Sequence, residues 1–184
     1  MANADNIVVG SNGHIYIAQT NTTLPTTIGG ALDNNFIDLG YLSEDGISLS
    51  SSVDVSDIVA FQSLLPVRKV VTGRTFELSF TVREFSQDAI KFAFGGGSFA
   101  SAGGTTTFTP PSPADGVYER SLVAEWSDGA KDYRIVINRC IVSDGVESTI
   151  TRADAVDMPL TVSVLSSDEN DAGYYLLTND PALD

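Results

Sequence analysis

The chain is poor in the residues that metal and redox chemistry need. It has one cysteine, Cys140, and one histidine, His14, in 184 residues. A lone cysteine excludes an intrachain disulfide and any cysteine-built metal site. Cys140 lies in the apolar run 135–142 and reads as a small buried filler. Bases are scarce too: 10 Lys and Arg face 24 Asp and Glu, a net charge of −14 and a pI near 4.1. Each phosphate contact needs a cation to displace counterions, so this balance opposes a grip on nucleic acid and suits letting DNA pass. Acid that merely keeps a sticky domain dispersed accounts for the composition equally well. No apolar run reaches the roughly 18 to 20 residues that span a bilayer. The first ten residues hold no base and only Ile7–Val9 as an apolar run, so no cleaved signal peptide is expected. Synthesis and first use in the cytoplasm follow.

What is present points to one β-rich domain over 1–184. Apolar residues make up 42% of the chain, which fits an ordinary core, and a chain of this length buries about 70% of its extended surface. Alternating segments are many and helix-period segments few. A strand is expected over 13–18, a loop over 21–35 and a short extended segment over 36–42. Ser43-Glu44-Asp45-Gly46 reads as a turn. Ile47, Leu49, Val53 and Val55 then alternate with Ser48, Ser50, Ser52 and Asp54. Phe76, Leu78, Phe80 and Val82 alternate with Glu77, Ser79, Thr81 and Arg83, the cleanest period-2 stretch of the chain. A helix over 86–94 follows, with Ser86 as N-cap and Gly95-Gly96-Gly97 as its stop.

The stretch 98–113 is low in complexity, and reads as a flexible loop or a short edge strand near 105–109. Strands over 119–126 and 131–138 flank Ser127-Asp128-Gly129-Ala130, a hairpin signal. Further strands are expected over 148–152 and 160–165, then a polar loop over 168–173 and a short C-terminal tail from Tyr174. About eight strands and one helix predict two packed β-sheets, a sandwich or partly closed barrel, with one flanking α-helix.

No enzyme signal emerges. His14 has no nucleophile motif beside it. GGGSFA at 95–100 fits a dinucleotide fingerprint in letters, but it follows a helix instead of opening one. The run Asp168-Glu169-Asn170-Asp171-Ala172-Gly173 resembles a calcium loop but lacks the closing glutamate, since Asn179 stands there. Asn21-Thr22-Thr23 is a glycosylation sequon that no secretory signal accompanies. Asp154 and Asp157 could pair as acid and base, although carboxylates this frequent pair by chance. No catalytic residue, metal or cofactor is expected.

The segment 57–73 is different. It is read as a loop between two alternating strands, longer than the about 12–15 residues usual in compact domains. It carries Ile58, Val59, Phe61, Leu64, Leu65 and Val67, followed by Arg68 and Lys69. A loop this apolar is expected to be covered. Two readings follow: it folds over its own sheet, or it reaches a neighbouring copy. A basic loop on an acidic body suits a head-to-tail stack, the heterologous geometry of rings and filaments.

On Asp38-Leu39-Gly40-Tyr41-Leu42-Ser43-Glu44-Asp45-Gly46, the strand-to-helix run 74–95 and the late hairpins through 160–165, the chain resembles the major tail proteins (tail tube proteins) of long-tailed bacteriophages. The resemblance implies two packed sheets with a flanking helix, hexameric rings, and stacking of rings into a hollow tube through which DNA is ejected into the host. It implies a bore lined by strands from every subunit and a long inter-strand loop touching the adjacent ring. Here that loop matches 57–73, and its flanking strands match 47–55 and 75–84. The face expected toward the lumen is Ser48, Ser50, Ser52, Asp54, Glu77, Ser79 and Thr81; bulk solvent is the alternative for that face. Implied partners are further copies of itself and the tape-measure, tail tip and terminator proteins, with DNA passing unbound and no membrane anchor. The implied location is the virion tail, with assembly in the host cytoplasm. The competing readings are another ring or tube former, such as a secretion-type tube or a tail terminator, and a monomeric carbohydrate-binding β-sandwich.

Overall fold

The computed structural model describes residues 6–167 and 172–183. In chain order it contains β1 (Ser11–Ala18), β2 (Ile37–Asp38), β3 (Leu42–Ile58), β4 (Arg68–Val82), α1 (Gln87–Ala93), β5 (Ser98–Ala102), β6 (Thr105–Thr109), β7 (Arg120–Asp128), β8 (Lys131–Val142), β9 (Met158–Leu165) and β10 (Tyr174–Thr178). Among the described residues the protein is mainly β, with two sheets and one α-helix, as the periodicity predicts. The sheets are unequal. The larger runs β2-β1-β7-β8-β9-β4-β3, with β10 on β8, and the smaller is the β5–β6 hairpin. All the pairings are antiparallel.

One core serves the whole sheet. Ile15 and Ile17 of β1, Leu122 of β7, Ile137 and Cys140 of β8, Val162 of β9, and Leu78 and Phe80 of β4 belong to a single buried cluster. Strands near opposite ends of the order share it because the sheet curls: a Cβ on Gly13 of β1 would lie 3.8 Å from Ile47 Cδ1 of β3. This is a partly closed barrel. The helix caps it by burying Ala89, Phe92 and Ala93, while Ser86 Oγ accepts the Ala89 N–H at 3.1 Å as N-cap. The β7–β8 hairpin turns at Gly129-Ala130, where Gly129 takes φ +62 in the left-handed region that glycine tolerates. Cys140 is fully buried, and burial pushes its thiol pKa up to about 12, as a packing residue's should be.

Five segments depart from the sequence expectation. Ser43–Gly46 is not a turn between strands but lies inside β3. Leu42 pairs with Val82 and Ile47 with Phe80, so the extra residues bow out as a bulge in which Gly46 takes φ +73. The segment 57–73 is mostly ladder: Asp57 pairs with Lys69 and Ile58 with Arg68, leaving 59–67 as the connection. Residues 98–113 contain two strands, β5 and β6, where the sequence reading leaves a flexible loop or a short edge strand near 105–109; Phe99 faces Phe108 across them. Residues 148–152 form no strand. Tyr174–Thr178 is no tail but a strand along β8, with Phe76 and Tyr174 stacked at 3.9 Å. Of the calcium-like run 168–173, residues 168–171 lie outside the described residues.

Candidate assembly surface

β3 and β4 are far longer than the sheet that carries them. β4 pairs with β9 only from Glu77 to Val82. Before Glu77 on β4, and beyond its partner Ser50 on β3, the two strands pair only with each other. At about 3.3 Å per residue, the eight residues from Ser51 to Ile58 carry this two-stranded arm roughly 26 Å from the body.

Alternation breaks along the arm. In the body, Leu78, Phe80 and Val82 are buried, and the opposite face is polar. A one-residue bulge at Thr72 shifts the register, with Asp54 opposite Gly73 and Val55 opposite Val71; the Thr72 hydroxyl donates to the Asp54 carbonyl at 3.3 Å. Beyond the bulge one face carries Ser56 with Val70 and Ile58 with Arg68, and the other Val55 with Val71 and Asp57 with Lys69. Both faces mix apolar and polar residues. Val53 and Val55, expected to seek the core, are exposed because they lie on the arm, beyond the last pairing with β9, and Leu49 is exposed too, although it pairs with the buried Leu78 in the body.

The tip holds the predicted contact residues together and leaves them uncovered by their own subunit. Phe61 and Leu64 are fully exposed, and Val59 and Leu65 remain 72% and 74% exposed. Ile58 and Val67 flank them, joined by the Val67 N–H donating to the Ile58 carbonyl at 2.9 Å. The tip has its own frame: the Ser63 N–H donates to the Ala60 carbonyl, and the Ser63 hydroxyl to the Leu65 carbonyl. Arg68 and Lys69 stand at its base, with Lys69 Nζ 3.0 Å from Asp57 in an exposed pair worth under about 1 kcal/mol. The reading in which this segment folds over its own sheet is therefore overturned.

The expected polar face is also a single surface. Ser48 lies opposite Ser79 and Ser50 opposite Glu77, while Ser52, Asp54 and Thr81 follow on the same side by the alternation of the strands. The face extends onto β9, which the sequence reading left out. Thr161 shares a hydrogen bond with Ser79 at 3.1 Å, and the Ser163 hydroxyl donates to Glu77 at 3.1 Å. The alternation in Leu160–Leu165 was the signal for them. β3 pairs with β4 alone, so its other edge is free along its length among the described residues.

Elsewhere the candidate chemistry is committed to structure. His14 Nδ1 lies 3.0 Å from Asp38 and its ring stacks on Tyr16. Asp157 pairs with Arg83 at 2.9 Å, and Asp154 bonds Thr151. Gly95–Gly97 end α1 and lead into β5, with no helix beginning there.

A family model described as phage tail tube protein matches residues 1–183. The chain belongs to the phage tail tube protein family. It is a structural protein of the tail tube, and its place is the virion tail. Solved structures that match include a chain of the virion of a native gene transfer agent particle, at 10% identity and TM-score 0.43, covering 98% of this chain and 100% of that one. Another is from the tail of an empty gene transfer agent particle computed with helical refinement and C6 symmetry, at 12% identity and TM-score 0.36, covering 91% and 96%. No curated protein matches the chain.

Proposed function

We propose that this tail tube protein assembles into hexameric rings that stack into a hollow tube, the conduit for DNA ejection into the host. The observation that carries the reading is the β3–β4 arm, which puts Phe61, Leu64 and Leu65 in water in a protein of this family. Each such side chain gains about 1.5–3 kcal/mol on full burial, while association costs about 4–15 kcal/mol. One arm alone is marginal. Several arms engaged between two rings act together, which makes a stack firm and an isolated pair of subunits weak.

The polar face of β3, β4 and β9 is the lumen surface in this reading. The named face, Ser48, Ser50, Ser52, Asp54, Glu77, Ser79 and Thr81, contains hydroxyls and two acids and no Lys or Arg. DNA finds no phosphate anchor on it, and six copies at −14 each give a ring −84 formal charges. The free edge of β3 pairs with the neighbouring subunit around the ring, which removes an aggregation hazard. Tape-measure, tail tip and terminator proteins bound the tube, and assembly takes place in the host cytoplasm. Negative-stain microscopy of the purified, concentrated protein tests this. Rings or tubes with a central hole are expected; a protein that stays monomeric and is retained on a glycan column overturns it.

A further inference from the structure

The arm tip needs a receptor, and the opposite end of the same ribbon offers one. Between the start of β1 and the start of β3 lies a cleft of about 810 Å³. Its apolar lining includes Leu42, Ile47, Leu49 and Trp126, and the carboxylates of Asp38, Glu44 and Glu84 also line it. Tyr41, 81% exposed, stands at its side. The arm leans the other way. Its β3 strand holds Asp54 and Asp57, the latter paired with Lys69. From Ile58 to Phe76, however, it carries Arg68, Lys69 and Arg74 and no acid, which leaves Arg68 at the base of the tip without an acid beside it in that run. β3 runs from the cleft at Leu42 to the tip at Ile58. A second copy displaced along this ribbon therefore brings its tip to the first copy's cleft, with greasy side chains meeting greasy side chains and bases meeting acids.

We propose that the tip of one copy, through Phe61 and Leu64, seats in the β1–β3 cleft of the copy in the next ring, with Arg68 facing Glu44. This rests on the stacked-ring reading and adds the surface that receives the arm. The test is a cysteine pair in assembled particles, Leu64→Cys with Tyr41→Cys; native Cys140 is buried and gives no background. Mild oxidation should give a ladder of cross-linked copies on non-reducing gels, since a disulfide forms only when the two Cα atoms come within about 7 Å. Leu64→Cys with Val117→Cys, an exposed position that does not line the cleft, should give none.

Tubes that form normally without a ladder overturn the proposal and leave the tube function standing. A wild-type chain that never forms rings or tubes removes both. Should the cysteine variant not assemble, hydrogen exchange on wild-type tubes decides. Amides of 42–47 are expected to slow at least about tenfold on assembly, together with those of 59–67. Cleft amides that exchange as fast in tubes as in free subunits overturn the proposal.

Discussion

The two halves of the β3–β4 ribbon have the same backbone pairing and opposite fates. From Leu42 to Ser50 and Glu77 to Val82 the ribbon is part of a sheet, with β9 beside it and Leu78, Phe80 and Val82 in the core. From Ser51 to Thr75 its two strands pair only with each other, and a two-stranded hairpin on its own is marginal in water. The body half is held by burial inside its own chain. The arm half keeps apolar residues on both faces without using them there, which supports the proposal that another copy completes this surface.

The comparison breaks most visibly at the tip. Phe61→Asp with Leu64→Asp should abolish rings and tubes in electron micrographs and shift subunit stability by no more than about 0.5 kcal/mol in urea titration, as for exposed sites generally. Leu78→Ala, in the body half, should do the reverse in kind. It removes a fully buried side chain and costs about 2–5 kcal/mol of stability, read from the urea midpoint, with loss of assembly following only from unfolding.

A smaller effect sharpens the contrast from the far side of the body. Tyr133 donates to the buried Asp180 at 2.6 Å, and that bond, with burial, pushes its pKa up to about 12. A raised folded pKa means stabilisation that is complete below tyrosine's ordinary value of about 10 and lost as pH rises through 12. The same bond holds the Asp180 carboxyl below its ordinary range, so its share is present above that range and lost in acid. The melting-temperature gap between wild type and Tyr133→Phe should be full at pH 8 and close above pH 12. Smallest of all, Lys69→Ala breaks only the exposed pair with Asp57 and should cost under about 1 kcal/mol in thermal unfolding.

The same contrast explains what could be read from the residues. Phe76–Val82 alternate because one face is buried. The Ser86 cap is legible because its hydroxyl serves a specific N–H, and Asp128-Gly129 because a two-residue turn needs glycine's φ. The arm strands were hidden as a loop. Ser56-Asp57-Ile58 and Arg68-Lys69-Val70-Val71 have no single buried face, and the Thr72 bulge breaks what period remains. The Ser43–Gly46 bulge carries the same residues as a turn, so only the pairing of Leu42 with Val82 and Ile47 with Phe80 distinguishes them. β10 was hidden because its partner, β8, lies more than thirty residues earlier in the chain. Of the surface proposed for assembly, the tip was legible as grease in the wrong place. The cleft was not, since Gly13 and Ile47 meet only when the sheet curls.

Placing a reporter at the tip tests the central claim most directly. Phe61→Trp adds an indole at an exposed site, against a background from Trp126 alone. In free subunits its emission should be that of a water-exposed indole, open to acrylamide. In assembled tubes it should shift to the blue and lose most of that quenching. An indole at position 61 that is quenched as freely in intact tubes as in subunits would contradict the account, because the arm would then end in solvent and the rings would be held by something else.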